Sequence, residues 1–120
     1  GYTVLGAEIE LREGEKEAIR ALMNELKEKR VTKQPLEYPS AGSTFKRPEG
    51  YFAGKLVQDA GLRGFRVGDA MVSEKHCGFV INAGEATAAQ VDELMKQVSA
   101  KVREQFGVTL EPEVKRLGEF

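Results

Sequence analysis

Residues 65–82 read FRVGDAMVSEKHCGFVIN. Short apolar runs alternate here with turn residues. The pattern predicts strands around residues 65–67, 70–73 and 78–82, because brief β-branched and aromatic runs bounded by Gly and Asp favour extended chain. Gly68 and Asp69 fall between the first two runs, where a tight two-residue connection needs a residue that tolerates positive φ. A small sheet therefore occupies the middle of the chain.

Outward from this centre the period changes. Toward the C-terminus, Val91, Leu94, Met95, Val98, Val102 and Phe106 keep a helical repeat. Thr87 and Gln90 have capping-box spacing ahead of it, and Gly107 stands where a helix commonly ends in a left-handed residue. On the other side of the sheet, residues 52–60 form a short helix ended by Gly61. Near the start, Ile19, Leu22, Met23 and Leu26 mark one stripe of a helix over residues 15–30, with its charged residues on the solvated face. Two further strands are expected. Residues 3–11 alternate, with Leu5, Ala7, Ile9 and Leu11 on one side, and residues 114–117 alternate weakly. Residues 32–48 hold Pro35, Pro39, Gly42 and Pro48 without a stable period, and read as a long functional loop. Strands and helices mix without strict alternation. The expected fold is α+β, a two-layer sandwich of a small mixed sheet with helices packed on one face.

The totals narrow the function. The 120 residues suit one domain, and 41% apolar with 31% charged residues suits a globular one. A net charge of -1 argues against a broad electrostatic hold on nucleic acid. No apolar run is long enough to span a bilayer. Cys77 is the single cysteine, so no internal disulfide forms and a reducing compartment is expected. The chain starts without Met, directly in a strand pattern, which reads as a piece of a longer protein.

The chemistry-bearing residues concentrate in YPSAGSTFKRPEG, residues 38–50. Gly42 lets the backbone turn or approach a ligand closely, and Ser43 offers a donor and two acceptors. A loop serine bonded to its own backbone is the commoner use, and no GxSxG elbow marks a hydrolase nucleophile. Lys46 and Arg47, with Lys33 upstream, are three cations around one loop that could hold a phosphate or carboxylate, although surface charge without function is the commoner case and no P-loop is present. His76 and Cys77 supply too few soft ligands for a usual zinc site, so no metal is expected. Cys77 reads as a small buried residue, and His76 as either a hydrogen-bonding site group or a surface residue. Glu111 and Glu113 flank Pro112 as a weak acid–base signal. By themselves these residues name no reaction.

Taken together, PLEYPSAGSTFKRPEGYFAGKLVQDAGLRGFRVGDAMVSEKHCGFVINAGEATAAQV and GVTLEPEVKRLGEF closely resemble the C-terminal domain of the UDP-N-acetylenolpyruvoylglucosamine reductase family, also called UDP-N-acetylmuramate dehydrogenase. AGSTFKRP and EPEV are the most specific pieces. The resemblance implies that residues 1–120 are the substrate-binding domain of a cytoplasmic flavoenzyme of peptidoglycan synthesis, separated from the N-terminal FAD-binding domains. It implies FAD held mainly by those missing domains, NADPH as hydride donor, and UDP-N-acetylglucosamine enolpyruvate as substrate. It makes Ser43 the proton donor and Glu113 the second catalytic group. Arg47 takes the place of a residue that contacts UDP, Lys33 matches a lysine that reaches the diphosphate, and His76 lies near a polar substrate contact. The arginine that pairs with the catalytic glutamate belongs to the absent domain. RPEGYFAGKL runs straight into a helix, as in the branch that lacks a tyrosine-bearing insertion, so Tyr51 does not take that tyrosine's role. The alternative is a non-catalytic module that binds a UDP-sugar or another anion.

Overall fold

The computed structural model describes residues 1–119. They divide into two compact units, one of residues 1–30 and one that begins at residue 31. The described residues form seven elements in order: α1 (Lys16–Lys33), β1 (Ser40–Ser43), α2 (Ala53–Asp59), β2 (Arg66–Val67), β3 (Ala70–Val72), β4 (Phe79–Asn82) and α3 (Ala88–Phe106).

In the larger unit the strands form one sheet in the order β1-β4-β3-β2. Each pair is antiparallel, so the sheet is not the mixed one expected from the sequence: every neighbouring strand runs back along its partner. The two-residue connection at Gly68 and Asp69 closes β2 on β3, with Val67 opposite Ala70 and Gly68 at φ +57. An added Cβ is disfavoured at such a φ, which is why glycine suits the turn. α3 lies across β2 and β3, and α2 packs against α3, so the helices of this unit and the sheet make the expected two α+β layers.

α3 forms where the apolar repeat places it. Thr87 accepts from the Gln90 amide while the Gln90 side chain accepts from the Thr87 amide, satisfying two N–H groups otherwise free at a helix start. Gly107 caps the other end at φ +69. Leu94, Met95, Val98 and Val102 are buried, Val91 is partly buried, and Phe106 at the last turn is exposed. Their stripe meets Leu56 and Val57 of α2, Ala70 and Val72 of β3, and Val80 of β4 in one core. Burying each large aliphatic side chain contributes roughly 1.5–3 kcal/mol, so this single seam dominates the unit's stability.

Three further expectations change. Residues 40–43 are a strand rather than part of a loop. SAGS carries no alternation to read, and β4 supplies the pairing that defines it. Residues 114–117 form no strand: among the described residues the C-terminal segment makes one isolated bridge, Phe45 to Pro112. Pro112 has no N–H to continue a ladder. Residues 3–11 are also without strand or helix, and their apolar side chains are exposed, Leu5 at 95% and Ile9 at 75%. Alternation defines a face, but a strand also needs a neighbour for its backbone groups.

In the smaller unit, Glu15 accepts from the amides of Glu17 and Ala18 and so starts α1. All of α1 is exposed, including the Ile19, Leu22, Met23 and Leu26 stripe.

Candidate functional site

The site begins with an irregularity in β1. Ser40 pairs with Ile81 but Ser43 pairs with Phe79, so three steps on β1 oppose two on β4. Gly42 absorbs the extra residue at φ +86, as its place before the serine predicts. The bulge sets the side-chain phase of residues 43–47. Ser43, Phe45 and Arg47, spaced by two, line one cleft, while Thr44 points away from it and is buried. Thr44 is pinned on its side of the sheet: its hydroxyl accepts from the Val80 amide at 2.8 Å, and its own amide donates to the Gly78 carbonyl at 2.9 Å.

A second wall comes from the connection between β3 and β4. The buried Ser73 hydroxyl accepts from the amides of Lys75 and His76, both at 3.2 Å, and folds this connection into a fixed turn. The Gly78 amide donates to His76 Nδ1 at 3.0 Å. The neutral imidazole therefore carries its proton on Nε2, which is left as a donor. The ring also meets Phe79 edge-on at 5.0 Å.

The start of α2 forms the third wall. Gly54 lies directly against Gly78, and a Cβ on Gly54 would stand 3.0 Å from the Gly78 nitrogen and 3.2 Å from His76 Cε1. Phe52 precedes the helix, and the Arg47 guanidinium stacks over its ring at 4.0 Å. Arg47 Nε donates to the Tyr51 carbonyl at 3.3 Å. Lys55 and Gln58 come from the next turn of α2. Together these walls enclose about 350 Å3.

The cleft thus gathers Ser43, Arg47 and His76, although His76 lies far along the chain from the other two. Glu113 arrives beside it through the backbone. Its amide donates to the Thr44 carbonyl at 2.9 Å, next to the Phe45–Pro112 bridge, but its side chain is not part of the cleft lining. Lys33 ends α1, exposed and outside the lining. Lys46 faces away from the cleft toward the C-terminal segment and pairs with Glu111, whose hydrogen bond and charge hold its ammonium above the usual lysine range, with a smaller push from Glu113. Cys77 lines the cleft floor and is buried, and desolvation raises its thiol, so it stays protonated and unreactive near neutral pH.

The sequence pattern did not single out Phe52, Lys55, Gln58 or Ser73 as site residues. For Lys55 and Gln58 a signal existed: spacing by three places them on one face of a helix. Phe52 and Ser73 carried none, because their roles depend on partners distant along the chain or on a turn not visible in the pattern.

The family model described as "UDP-N-acetylenolpyruvoylglucosamine reductase, C-terminal domain" matches residues 34–117. The chain belongs to this family. A reductase of that name from Agathobacter rectalis is 68% identical over 120 residues, which are 100% of this chain and 38% of the relative. One from Clostridioides difficile is 56% identical over 119 residues, 99% of this chain and 39% of the relative. The crystal structure of UDP-N-acetylenolpyruvylglucosamine reductase from Thermus caldophilus matches with a TM-score of 0.70 at 42% identity, covering 87% of this chain and 37% of that one. The chain therefore spans less than two-fifths of these members of the reductase family. The matched family segment contains Ser43, Arg47, His76 and Glu113, while Lys33 lies one residue before it.

Proposed function

We propose that this chain is the substrate-binding and proton-donating domain of an enzyme that reduces UDP-N-acetylglucosamine enolpyruvate to UDP-N-acetylmuramate in peptidoglycan synthesis. The observation that carries the reading is the convergence of Ser43, Arg47 and His76 on one cleft in a member of this family. A cleft of about 350 Å3 is within the size range of a small-molecule site. The flavin is assigned to the remainder of the protein, of which this chain spans less than two-fifths in its relatives. Bound there, the flavin would supply to the enolpyruvyl double bond a hydride drawn from NADPH.

This chain's residues act on the other half of the addition. Hydride arrival leaves negative charge spread toward the substrate carboxylate. Ser43 Oγ holds the proton that goes to the neighbouring carbon, and its fixed position behind the Gly42 bulge orients that transfer. Arg47 holds a diphosphate oxygen through its planar fork. His76 donates from Nε2 to a polar group of the substrate. Glu113 is the second catalytic group, supported by the backbone pairing of its segment with that of Ser43. Lys33 reaches the diphosphate from the end of α1. The exposed apolar faces of residues 3–11 and of α1 are the surfaces we assign to the flavin-binding remainder. Oxidoreductase activity in the cytoplasm follows from the same reading.

The test uses a full-length enzyme in which residues 1–120 replace the matching part of the A. rectalis relative. Ser43→Ala should slow substrate reduction by about 10²–10⁴-fold, the usual worth of a positioned acid, while NADPH reduces the flavin at an unchanged rate. Equal slowing of both half-reactions would remove Ser43 from the role of acid.

A further inference from the structure

Phe52 is 62% exposed, although it sits between the core-facing start of α2 and a cleft. It also occupies the N-cap of α2 without making a side-chain cap. That position favours Ser, Thr, Asp or Asn, whose oxygens satisfy a free amide, and phenylalanine satisfies none. Neither burial nor helix capping therefore accounts for an aromatic ring at this place. Its ring does meet Arg47, whose guanidinium carbon lies 4.0 Å above the ring centroid.

Arg47 stands on an irregular stretch after the bulged strand, with a long side chain that is costly to order. Two neutral restraints act on it. The Phe52 ring sets the plane of the guanidinium, and the Tyr51 carbonyl takes the Nε–H at 3.3 Å. Neither cancels its charge. Among the described residues no hydrogen bond or ion pair takes the two terminal nitrogens, whose four N–H groups face an anion in the cleft. An arginine ordered before binding loses less freedom on binding, so its contact gives more net affinity.

We infer that Phe52 is a positioning residue for substrate binding: its ring fixes the Arg47 fork in the orientation that receives an anionic group of the ligand. The inference rests on the sugar-nucleotide reading of the cleft and adds a residue to it. Phe52 acts through Arg47, so its contribution disappears when Arg47 is gone.

The experiment is a double-mutant cycle in the same full-length enzyme, with KM for the UDP-sugar and kcat measured for each variant. Phe52→Leu should raise KM by about 3- to 30-fold, the range of an exposed to partly desolvated cation–π contact, with a much smaller change in kcat. Phe52→Tyr retains a ring face and should return KM to within about twofold of the parent. In an Arg47→Ala background, Phe52→Leu should change KM no further. Far-UV circular dichroism and the Tm of each variant report that this domain is folded. If Phe52→Leu costs the same factor with and without Arg47, or Phe52→Tyr fails to rescue, the stack has no positioning role and the inference is overturned while the reading of the cleft stands. If Arg47→Ala leaves KM unaltered, the substrate assignment of the cleft falls, and the inference falls with it.

Discussion

Replacing Gly54 by alanine tests whether the close approach of α2 to the Gly78 turn builds the cleft. The added Cβ would stand 3.0 Å from the Gly78 nitrogen, 3.3 Å from its Cα and 3.2 Å from His76 Cε1. Two of these neighbours are backbone. The third is a ring held by the Gly78 amide, so none yields cheaply. Alanine in a helix gains at most about 1 kcal/mol over glycine, whereas overpacking a closed contact costs about 1–3 kcal/mol. Two rigid backbone contacts place this case in the upper part of that range, leaving a net loss of about 1–2 kcal/mol. For a cooperative unit of this size each kcal/mol lowers Tm by about 5 °C, so Tm should fall by about 5–10 °C. Thermal unfolding followed by circular dichroism measures the shift. The Gly78 amide resonance should also move, because its bond to His76 Nδ1 is disturbed. A Tm equal to or above that of the parent would refute the claim that glycine is required for this packing.

Two other perturbations probe the frame around the cleft. Thr87→Ala removes the hydroxyl half of the α3 capping box and should lower unfolding stability by about 1 kcal/mol in urea, with Thr87→Ser close to neutral. Asp92 is held below the usual carboxylate range, first by Lys96 at 2.8 Å and then by Arg116. Its folded value lies below its unfolded one, so the stabilisation is present above the ordinary aspartate range and is lost as pH falls through the depressed value. Amide exchange around residues 114–117, corrected for its intrinsic pH dependence, should accelerate in that acid window, and Asp92→Asn should show the fast exchange already at neutral pH. Corrected exchange in the parent that stays flat across that window would rule out an ionic clasp at Arg116.

Elements whose information is local could be read from residue order alone. α3 was legible from its apolar repeat, its Thr87–Gln90 box and Gly107, since each of these acts within a few residues. The β2–β3 hairpin was legible from Gly68 and Asp69, because a two-residue turn sets its own register. Ser43, Arg47 and His76 were likewise named as candidates from residue type and resemblance. Long-range packing settled the other features. β1 exists because β4 offers it backbone partners, whereas residues 3–11 alternate more clearly yet pair with nothing among the described residues. Only the fold brings Gly54 against Gly78, turns Ser43 and Arg47 to one face through the Gly42 bulge, and seats the guanidinium on Phe52. Helical and turn signals are written between near neighbours. A strand edge or a cleft wall is completed by groups many residues away, and a single sequence does not state which distant groups will meet.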